Sequence, residues 1–363
     1  MAVVVFYYAG TSEVAWLYLL AYWVAALIVA AFIYHLWNRG LRGEILVRGY
    51  VVSPGSPMEW LPDAVLNARP TRRAFEGDSI KVDLKLASKR GTRGPASLKG
   101  SIAGNELATA AGVIPKKGWV ERKVVGPARR GPFMTSGWVI DSTDLLGLFR
   151  DRGRKTQEKE IALVLPHFSS SGSPLRVREL ETSVASARAG SGTELFGVRE
   201  YRSGDPLRRI HWRSTARHGE LIVREYEPPG VQSLGIFCDP EPPSREVADL
   251  IARLAASEAW DCVRNSGRAI LWAPGAEPST YGESKSIWAL LEWLARYPSA
   301  VEGLISEPPR VSDAVAIVAG NDPRVVDALE GARRRGAGIR AWVVGEAELN
   351  IDAPVQRVAG LSR

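Results

Sequence analysis

The chain opens with an uninterrupted run of apolar residues. Residues 14–34, VAWLYLLAYWVAALIVAAFIY, are 21 positions without a charged side chain. A helix of this length, rising about 1.5 Å per residue, matches the hydrocarbon core of a bilayer, about 30 Å thick. The run follows Glu13 rather than a basic cluster, and it is longer than the apolar core of a signal peptide. We predict a transmembrane helix from Val14 to Tyr34, within an N-terminal region of residues 1–43, over the alternative of a buried helix in a soluble protein.

Beyond this helix, between residues 44 and 167, apolar and polar residues alternate with a period of two. The clearest run is IKVDLKL at 80–86, and further branched apolar runs occupy 120–125, 137–141 and 161–165. Gly, Pro, Asn and Ser separate these runs, and short strands at such spacing are typical of a β-sandwich. We therefore predict that residues 44–167 form a small β-sandwich.

From residue 232 onward, continuous apolar runs alternate with patterns of helical period. The predicted strands, which are apolar on both faces, are 233–239, 269–274, 314–320 and 339–345. The predicted helices between them are 245–263, 285–296 and 323–335. The first helix has a predicted apolar face of Val247, Leu250, Ile251, Leu254, Ala255 and Ala259. This alternation is typical of an α/β domain, which we assign to residues 232–363. The whole chain is thus predicted to be an α+β multidomain protein.

Charge is distributed unevenly along the chain. From Arg39 to Leu165, 23 Lys and Arg residues face 13 Asp and Glu, whereas residues 166–363 carry 24 against 26. The basic region directly follows the apolar helix, where it would attract anionic lipid headgroups. Basic residues flank the helix on this side only. The positive-inside rule therefore predicts a single-pass protein of the cell membrane, bound to lipid through Val14–Tyr34, with its C-terminal domains in the cytoplasm.

Residues 168–231 connect the two predicted domains and contain the densest charge in the chain. After two stretches without periodicity, at 169–173 and 185–193, residues 199–227 contain seven arginines, two histidines and Trp212. The same segment contains five acidic residues, among them Asp205. Charges in such a mixture can pair with one another inside a protein. The pattern favours a structural clasp between the domains, with an exposed subset of residues that contacts a partner, over a catalytic site.

This arginine-rich segment resembles the signature of the family catalogued as domain of unknown function 58. The residues that carry the resemblance are Arg199, Glu200, Tyr201, Gly204, Asp205, Arg208, Arg209, Ile210, His211, Trp212, Ala216, Arg217, Gly219, Leu221, Val223 and Glu225. Upstream, RRGPF (129–133) and DSTDLLGLF (141–149) resemble the end of the β-domain in such proteins. The resemblance implies a membrane-attached protein with a C-terminal domain similar to the von Willebrand factor A domain. It also implies a MoxR-type AAA+ ATPase as partner.

Domains of that fold often carry a metal-ion-dependent adhesion site, Asp-x-Ser-x-Ser, at the end of the first strand. Here the position is Asp239-Pro240-Glu241-Pro242-Pro243, so that Glu241 and Pro243 replace the two serines. Mg²⁺ prefers hard oxygen ligands, and two hydroxyls are lost. Asp239 and Asp322 would lie near each other at the strand ends. We predict no cofactor, with Asp239 as the degenerate position at which Mg²⁺ would bind if the site were retained.

Three functions compete for the arginine-rich segment. His211 with Asp205 would supply the acid–base group of a hydrolase, but no nucleophile elbow, phosphate loop or His-Glu-x-x-His motif accompanies them. Arginines with aromatics would also bind nucleic acid, although the interleaved acids interrupt any basic groove. Arg, Trp and Tyr are, in addition, the residues that dominate protein interfaces.

We therefore predict a non-enzymatic, membrane-anchored adaptor that binds a protein partner, and neither nucleic acid nor a small-molecule substrate. The resemblance implies that it serves the ATPase in assembly or maturation of other complexes. The predicted partner-binding or structural residues are Arg199, Tyr201, Gly204, Asp205, Arg208, Arg209, His211, Trp212, Arg213, Arg217 and Gly219.

Overall fold

A computed structural model gives the architecture of the chain. The structure describes residues 4, 7, 15–88, 91–153, 158–169, 195–200, 215, 221–226, 233–265, 267–277, 279–280, 287–298 and 306–358. The chain divides into two compact units. The first comprises Met1–His167 with Leu291–Tyr297, and the second comprises Phe168–Leu290 with Pro298–Arg363. Helices and several sheets together make a mixed α/β protein, as predicted.

Helix α1, Ala15–Asn38, contains the predicted apolar run. Its residues Trp16–Asn38 are long and apolar enough to cross a membrane, and only 11% of the most apolar window is buried. The helix extends past Tyr34, where the prediction ended, because its last turn packs against other residues of the first unit. Asn38 is buried there, and its side chain bonds to the backbone of Gly94 and Thr143.

The strands of the first unit form two sheets. In chain order they are β1 (Leu41–Val51), β2 (Arg73–Phe75), β3 (Ser79–Ser88), β4 (Ala96–Ile102), β5 (Asn105–Ala111), β6 (Trp119–Val125), β7 (Gly131–Thr143), β8 (Arg150–Arg152) and β9 (Lys159–Leu165). One sheet has the order β1-β3-β6, and the other has the order β2-β9-β7-β4-β5 with β8 paired to β7. A 3-10 helix, Pro57–Glu59, and the short helix α2, Asp63–Asn67, lie between β1 and β2.

The core of the first unit confirms the period-two pattern. On β3, the alternate residues Ile80, Val82, Leu84 and Leu86 are fully buried. They belong to the same apolar cluster as Trp138 of β7 and other residues of the second sheet. The two sheets therefore share one core, and the polar residues of β3 lie on the face away from it.

The second unit contains a six-stranded sheet and a separate two-stranded one. Its strands are β10 (Leu195–Glu200), β11 (Ile222–Tyr226), β12 (Ser233–Cys238), β13 (Arg268–Trp272), β14 (Ser279–Thr280), β15 (Asp313–Val318), β16 (Gly338–Val344) and β17 (Val355–Val358). The helices of this part of the chain are α3 (Arg245–Arg264), α4 (Trp288–Arg296) and α5 (Pro323–Arg334). Strand order is β14-β13-β12-β15-β16-β17, and β12 is parallel to both of its neighbours. Residues Leu291–Arg296 of α4 are part of the first unit.

Helix α3 is buried more extensively than its sequence predicted. Val247, Leu250 and Leu254, assigned to the core face, are half-buried, whereas the helix is buried almost continuously from Ala255 to Cys262. Alanines make this possible because they let neighbouring elements approach closely. Three acidic residues are buried with them: Asp249, Glu258 and Asp261. Glu258 accepts hydrogen bonds from Arg340 at 2.7 Å and from Trp342 at 3.0 Å, so its buried charge is paired.

Candidate functional site

The carboxyl ends of β12 and β15 lie side by side where the strand order reverses. The chain passes from β12 to β13 on one side and then crosses to β15 on the other side of β12. Open α/β sheets bind ligands in the crevice at such a reversal. Four charged residues follow these two strands, and we call them the switch-point cluster: Asp239, Glu241, Asp322 and Arg324.

Asp239 holds the two strand ends together. Its side chain is almost fully buried, and each carboxylate oxygen accepts a backbone hydrogen bond. One comes from the N–H of Glu241 at 3.0 Å and the other from the N–H of Ala319 at 2.9 Å. The backbone N–H of Asp239 donates in turn to Ile317 at 3.1 Å. Asp239 therefore fixes the loop after β12 against the loop after β15.

Asp322 and Arg324 form the second half of the cluster at the start of α5. Asp322 caps the helix by accepting the backbone N–H of Arg324 at 2.8 Å. Its carboxylate also accepts two guanidinium hydrogen bonds from Arg324, from Nη2 at 2.7 Å and from Nε at 3.1 Å. The side-chain hydrogen bond from Arg324 lowers the pKa of Asp322, although partial burial opposes this change.

Arg324 also joins the two strand ends electrostatically. Its Nη2 lies 3.0 Å from Oε1 of Glu241, which follows β12. The hydrogen bond to Asp322, followed by the one to Glu241, raises the pKa of the Arg324 guanidinium above its already high ordinary value. A permanent cation therefore lies between two carboxylates at the edge of the sheet.

This donor set does not fit Mg²⁺. Both oxygens of Asp239 already accept backbone N–H groups, and Glu241 and Asp322 face a guanidinium. The remaining motif position is Pro243, which has no side-chain oxygen. Within the described part of the chain, no group of three or more His, Cys, Asp or Glu side chains is arranged to hold a metal ion. The chemistry available at this edge is ion pairing.

The outer part of the cluster is accessible to another molecule. The side chains of Glu241 and Arg324 are 80% and 53% exposed. An ion pair at this level of exposure contributes only about 0–1 kcal/mol, because water solvates both partners well. Arg324 can therefore exchange Glu241 for a carboxylate of a partner at little energetic cost.

Of the arginine-rich segment, the structure describes residues 199–200, 215 and 221–226. Arg199 lies in β10, which pairs antiparallel with β11 and places Arg199 opposite Val223. The other predicted residues lie outside the described residues: Tyr201, Gly204, Asp205, Arg208, Arg209, His211, Trp212, Arg213, Arg217 and Gly219. The clasp, the hydrolase pair of His211 with Asp205 and the nucleic-acid surface stay predictions.

Comparison with known families bears on this same region. Residues 197–302 match the family model described as Protein of unknown function DUF58. The DUF58 match begins in β10, includes β12, α3, β13 and α4, and ends before β15. It confirms the resemblance of the arginine-rich segment to that family. No curated protein matches the chain.

Two arginines outside the matched residues 197–302, Arg324 and Arg130, form contacts that were not predicted from sequence. The prediction for this edge of the sheet included the acidic residues Asp239 and Asp322 but not Arg324, which pairs with Asp322 and Glu241. A basic residue two positions after the helix cap Asp322 was the available signal. Arg130 of the RRGPF motif is also buried, and its guanidinium donates to the backbone oxygens of Leu294 and Tyr297. Arg130 of that motif therefore binds backbone oxygens at the C-terminal end of α4, where helix carbonyls need partners from outside the helix.

Proposed function

We propose that this chain is a membrane-anchored, non-enzymatic adaptor that binds a MoxR-type AAA+ ATPase in assembly or maturation of other complexes. In this proposal, α1 crosses the membrane and the domains that follow it lie in the cytoplasm. The first unit is a β-sandwich, and the second is a von Willebrand A-like domain that presents the switch-point cluster to the ATPase. The resemblance to the domain of unknown function 58 family supports the choice of partner.

Two features support the proposed architecture. The first unit has two sheets whose strands are mostly antiparallel, and the two sheets share one core, as in a β-sandwich. The second unit has a mostly parallel sheet flanked by α3 and α5, with its reversal between β12 and β15. Such a sheet is consistent with a von Willebrand A-like domain, and its carboxyl edge is the usual place for recognition.

The observation that carries the proposal is the exposed cation at the position of an adhesion site. Arg324 lies beside Glu241 and Asp322 at the strand ends, where a metal would otherwise attract a carboxylate. A guanidinium is planar and has five donors, so it can bind a carboxylate through two parallel hydrogen bonds. We propose that an acidic side chain of the ATPase replaces Glu241 on Arg324.

Affinity capture of the full-length protein from its native membrane tests this proposal. The test variant is Arg324→Ala, and the matched control is Arg333→Ala in the last turn of the same helix. Arg333 also forms an exposed ion pair, with Asp352 at 3.0 Å. Wild type and the control should recover a MoxR-type AAA+ ATPase, and Arg324→Ala should recover several-fold less.

The outcomes separate the partner from its binding site. Arg324→Ala removes the ion pairs with Glu241 and Asp322, and Arg333→Ala removes the pair with Asp352. Both arginines are about half exposed, so thermal unfolding should shift little. Failure of the wild-type protein to recover any AAA+ ATPase would contradict the adaptor function. Equal recovery by all three proteins would contradict only the role of the switch-point cluster and would leave the adaptor function standing.

A further inference from the structure

Three large apolar side chains are exposed together in the loop between β7 and β8. The loop consists of residues 144–149, DLLGLF, and we call it the leucine loop. Leu145, Leu146 and Leu148 are 71%, 54% and 56% exposed. Single exposed apolar residues are common, but an adjacent group of this size usually marks an interaction site. The tips of surface loops are otherwise mostly polar.

Internal hydrogen bonds hold the leucine loop in one conformation. Asp144 is buried, and its carboxylate accepts the N–H of Leu146 at 2.9 Å and of Phe149 at 2.6 Å. The backbones of Asp144 and Phe149 also bond to each other, at 3.2 Å. Burial raises the pKa of Asp144, but its backbone hydrogen bonds, led by that from Phe149, outweigh burial and lower the pKa overall. The leucines are therefore exposed by a turn whose backbone is held by the Asp144 carboxylate.

The leucine loop lies beside the end of the apolar helix. The ring of Phe149 packs against Phe32 and His35 of α1, with centroid distances of 5.5 Å and 5.9 Å. Thr143, the residue directly before the leucine loop, accepts a hydrogen bond through its backbone oxygen from the side chain of Asn38 at 3.0 Å. Phe32 and His35 belong to the last turns of the stretch that is apolar enough to span a membrane. Phe32 is about 9 Å along the helix axis from Asn38, a distance similar to the roughly 5–10 Å by which amphipathic helices enter the boundary between headgroups and acyl chains.

The charges around this end of α1 also fit a lipid surface. Arg39 and Arg42 follow the helix directly and are exposed. Arginines at this level can bind lipid phosphates while apolar side chains enter the acyl region. The apolar surface of the leucine loop is thus continuous with the apolar surface of α1 and is followed by exposed positive charge.

We infer that the leucine loop inserts into the surface of the bilayer as a second contact of the first unit with lipid. Leu145, Leu146 and Leu148 enter the boundary between headgroups and acyl chains, and Phe149 connects them to α1. Two separate contacts fix the tilt of the first unit against the membrane, which one helix alone cannot do. This inference rests on the proposed membrane anchoring by α1.

Depth-dependent fluorescence quenching of the full-length protein in vesicles tests the inference. The vesicles consist of phosphatidylcholine and phosphatidylglycerol, with doxyl-labelled lipids as quenchers. A single cysteine carrying the fluorophore NBD is introduced by Leu146→Cys, after replacement of the buried Cys238 and Cys262 by alanine. The matched control is Asn105→Cys at the exposed start of β5, about 20 Å along β4 from the end that contacts Asn38. Leu27→Cys, in the middle of α1, reports on the span itself.

The expected result is strong quenching at Leu146 by lipids that carry the doxyl group near the headgroup, several-fold above that at Asn105. Quenching at Leu27 with none at Leu146 would overturn the inference and leave the membrane span intact. A blue-shifted emission at Leu146 without quenching by lipid would also overturn it, and would indicate that a protein covers the leucines. Absence of quenching at Leu27 would contradict the anchoring proposal, and the inference would fail with it.

Discussion

Asp83 is a charged residue at a position that the alternating pattern assigns to the solvent face of β3. It does lie on that face, yet it is only 2% exposed. Arg122 of β6 and Arg48 of β1 cover it, with N–O distances of 2.8 Å and 3.1 Å. The pattern could predict the face but not the burial, because burial here depends on long side chains from two other strands.

The ion pairs of Asp83 make the stability of this sheet depend on pH. The hydrogen bond from Arg122 lowers the pKa of Asp83 below its ordinary value, against the effect of burial and with further help from Arg48. A lowered folded-state pKa stabilises the protein above the unfolded value of about 3.9, and this contribution is lost as the pH falls through the folded value. Asp83→Asn should therefore lower both the unfolding temperature and the free energy of unfolding at neutral pH. The expected loss of free energy is about 1 kcal/mol, because both arginines are largely exposed.

The difference between wild type and Asp83→Asn should disappear in acid. Near-ultraviolet circular dichroism of the full-length protein in detergent, at neutral pH and at a pH below the folded pKa, measures it. Asp63→Asn, at an exposed position in α2, is the control and should have no such pH-dependent effect. A difference for Asp83→Asn that is the same at both pH values would contradict this account.

Among the elements, those with a clear apolar pattern were predicted, whereas several without one were not. Strands β12, β15 and β16 and helices α3 and α5 occur within a few residues of their predicted positions, because each buries a continuous apolar surface. Strand β1 was missed because its register shifts between Val47 and Gly49, which breaks the period of two. Short edge strands such as β14 and β17 contain too few residues for a period to be visible.

The end of α4 depends on a residue far away in sequence. Arg130 donates to the backbone oxygens of Leu294 and Tyr297, and Leu294 also accepts the backbone N–H of Tyr297 at 3.3 Å. Arg130→Ala should leave these carbonyls without that partner and reduce the local free energy of opening by about 1–3 kcal/mol. Amide hydrogen exchange in peptides that cover residues 291–297 should accelerate accordingly.

The neighbouring Arg129 provides a matched control for this prediction. It is exposed, whereas Arg130 is buried. Arg129→Ala should leave exchange in residues 291–297 unchanged. Equal exchange in wild type, Arg129→Ala and Arg130→Ala would show that Arg130 does not cap the helix.

At the scale of the whole molecule, the chain combines an exposed apolar helix with an α/β sheet. Charged residues lie where the strand order of this sheet reverses, between β12 and β15. The sequence located that point, because Asp239 and Asp322 follow predicted parallel strands. It could not reveal that Arg324 lies between Glu241 and Asp322, since this depends on how two loops meet in space. The sequence predicted a weakened metal site at this edge of the sheet, whereas the structure has an arginine paired with two acidic residues there.

Site-specific photo-cross-linking in the native membrane tests the adaptor function most directly. A photoreactive amino acid replaces Glu241 in the full-length protein, and the control replaces Asp352, whose side chain is also highly exposed, at 91%. Asp352 pairs with Arg333 at the opposite end of α5 from the switch-point cluster. The account predicts that a MoxR-type AAA+ ATPase is cross-linked from position 241 and not from position 352. No cross-link to such an ATPase from position 241, or an equal yield from both positions, would contradict it.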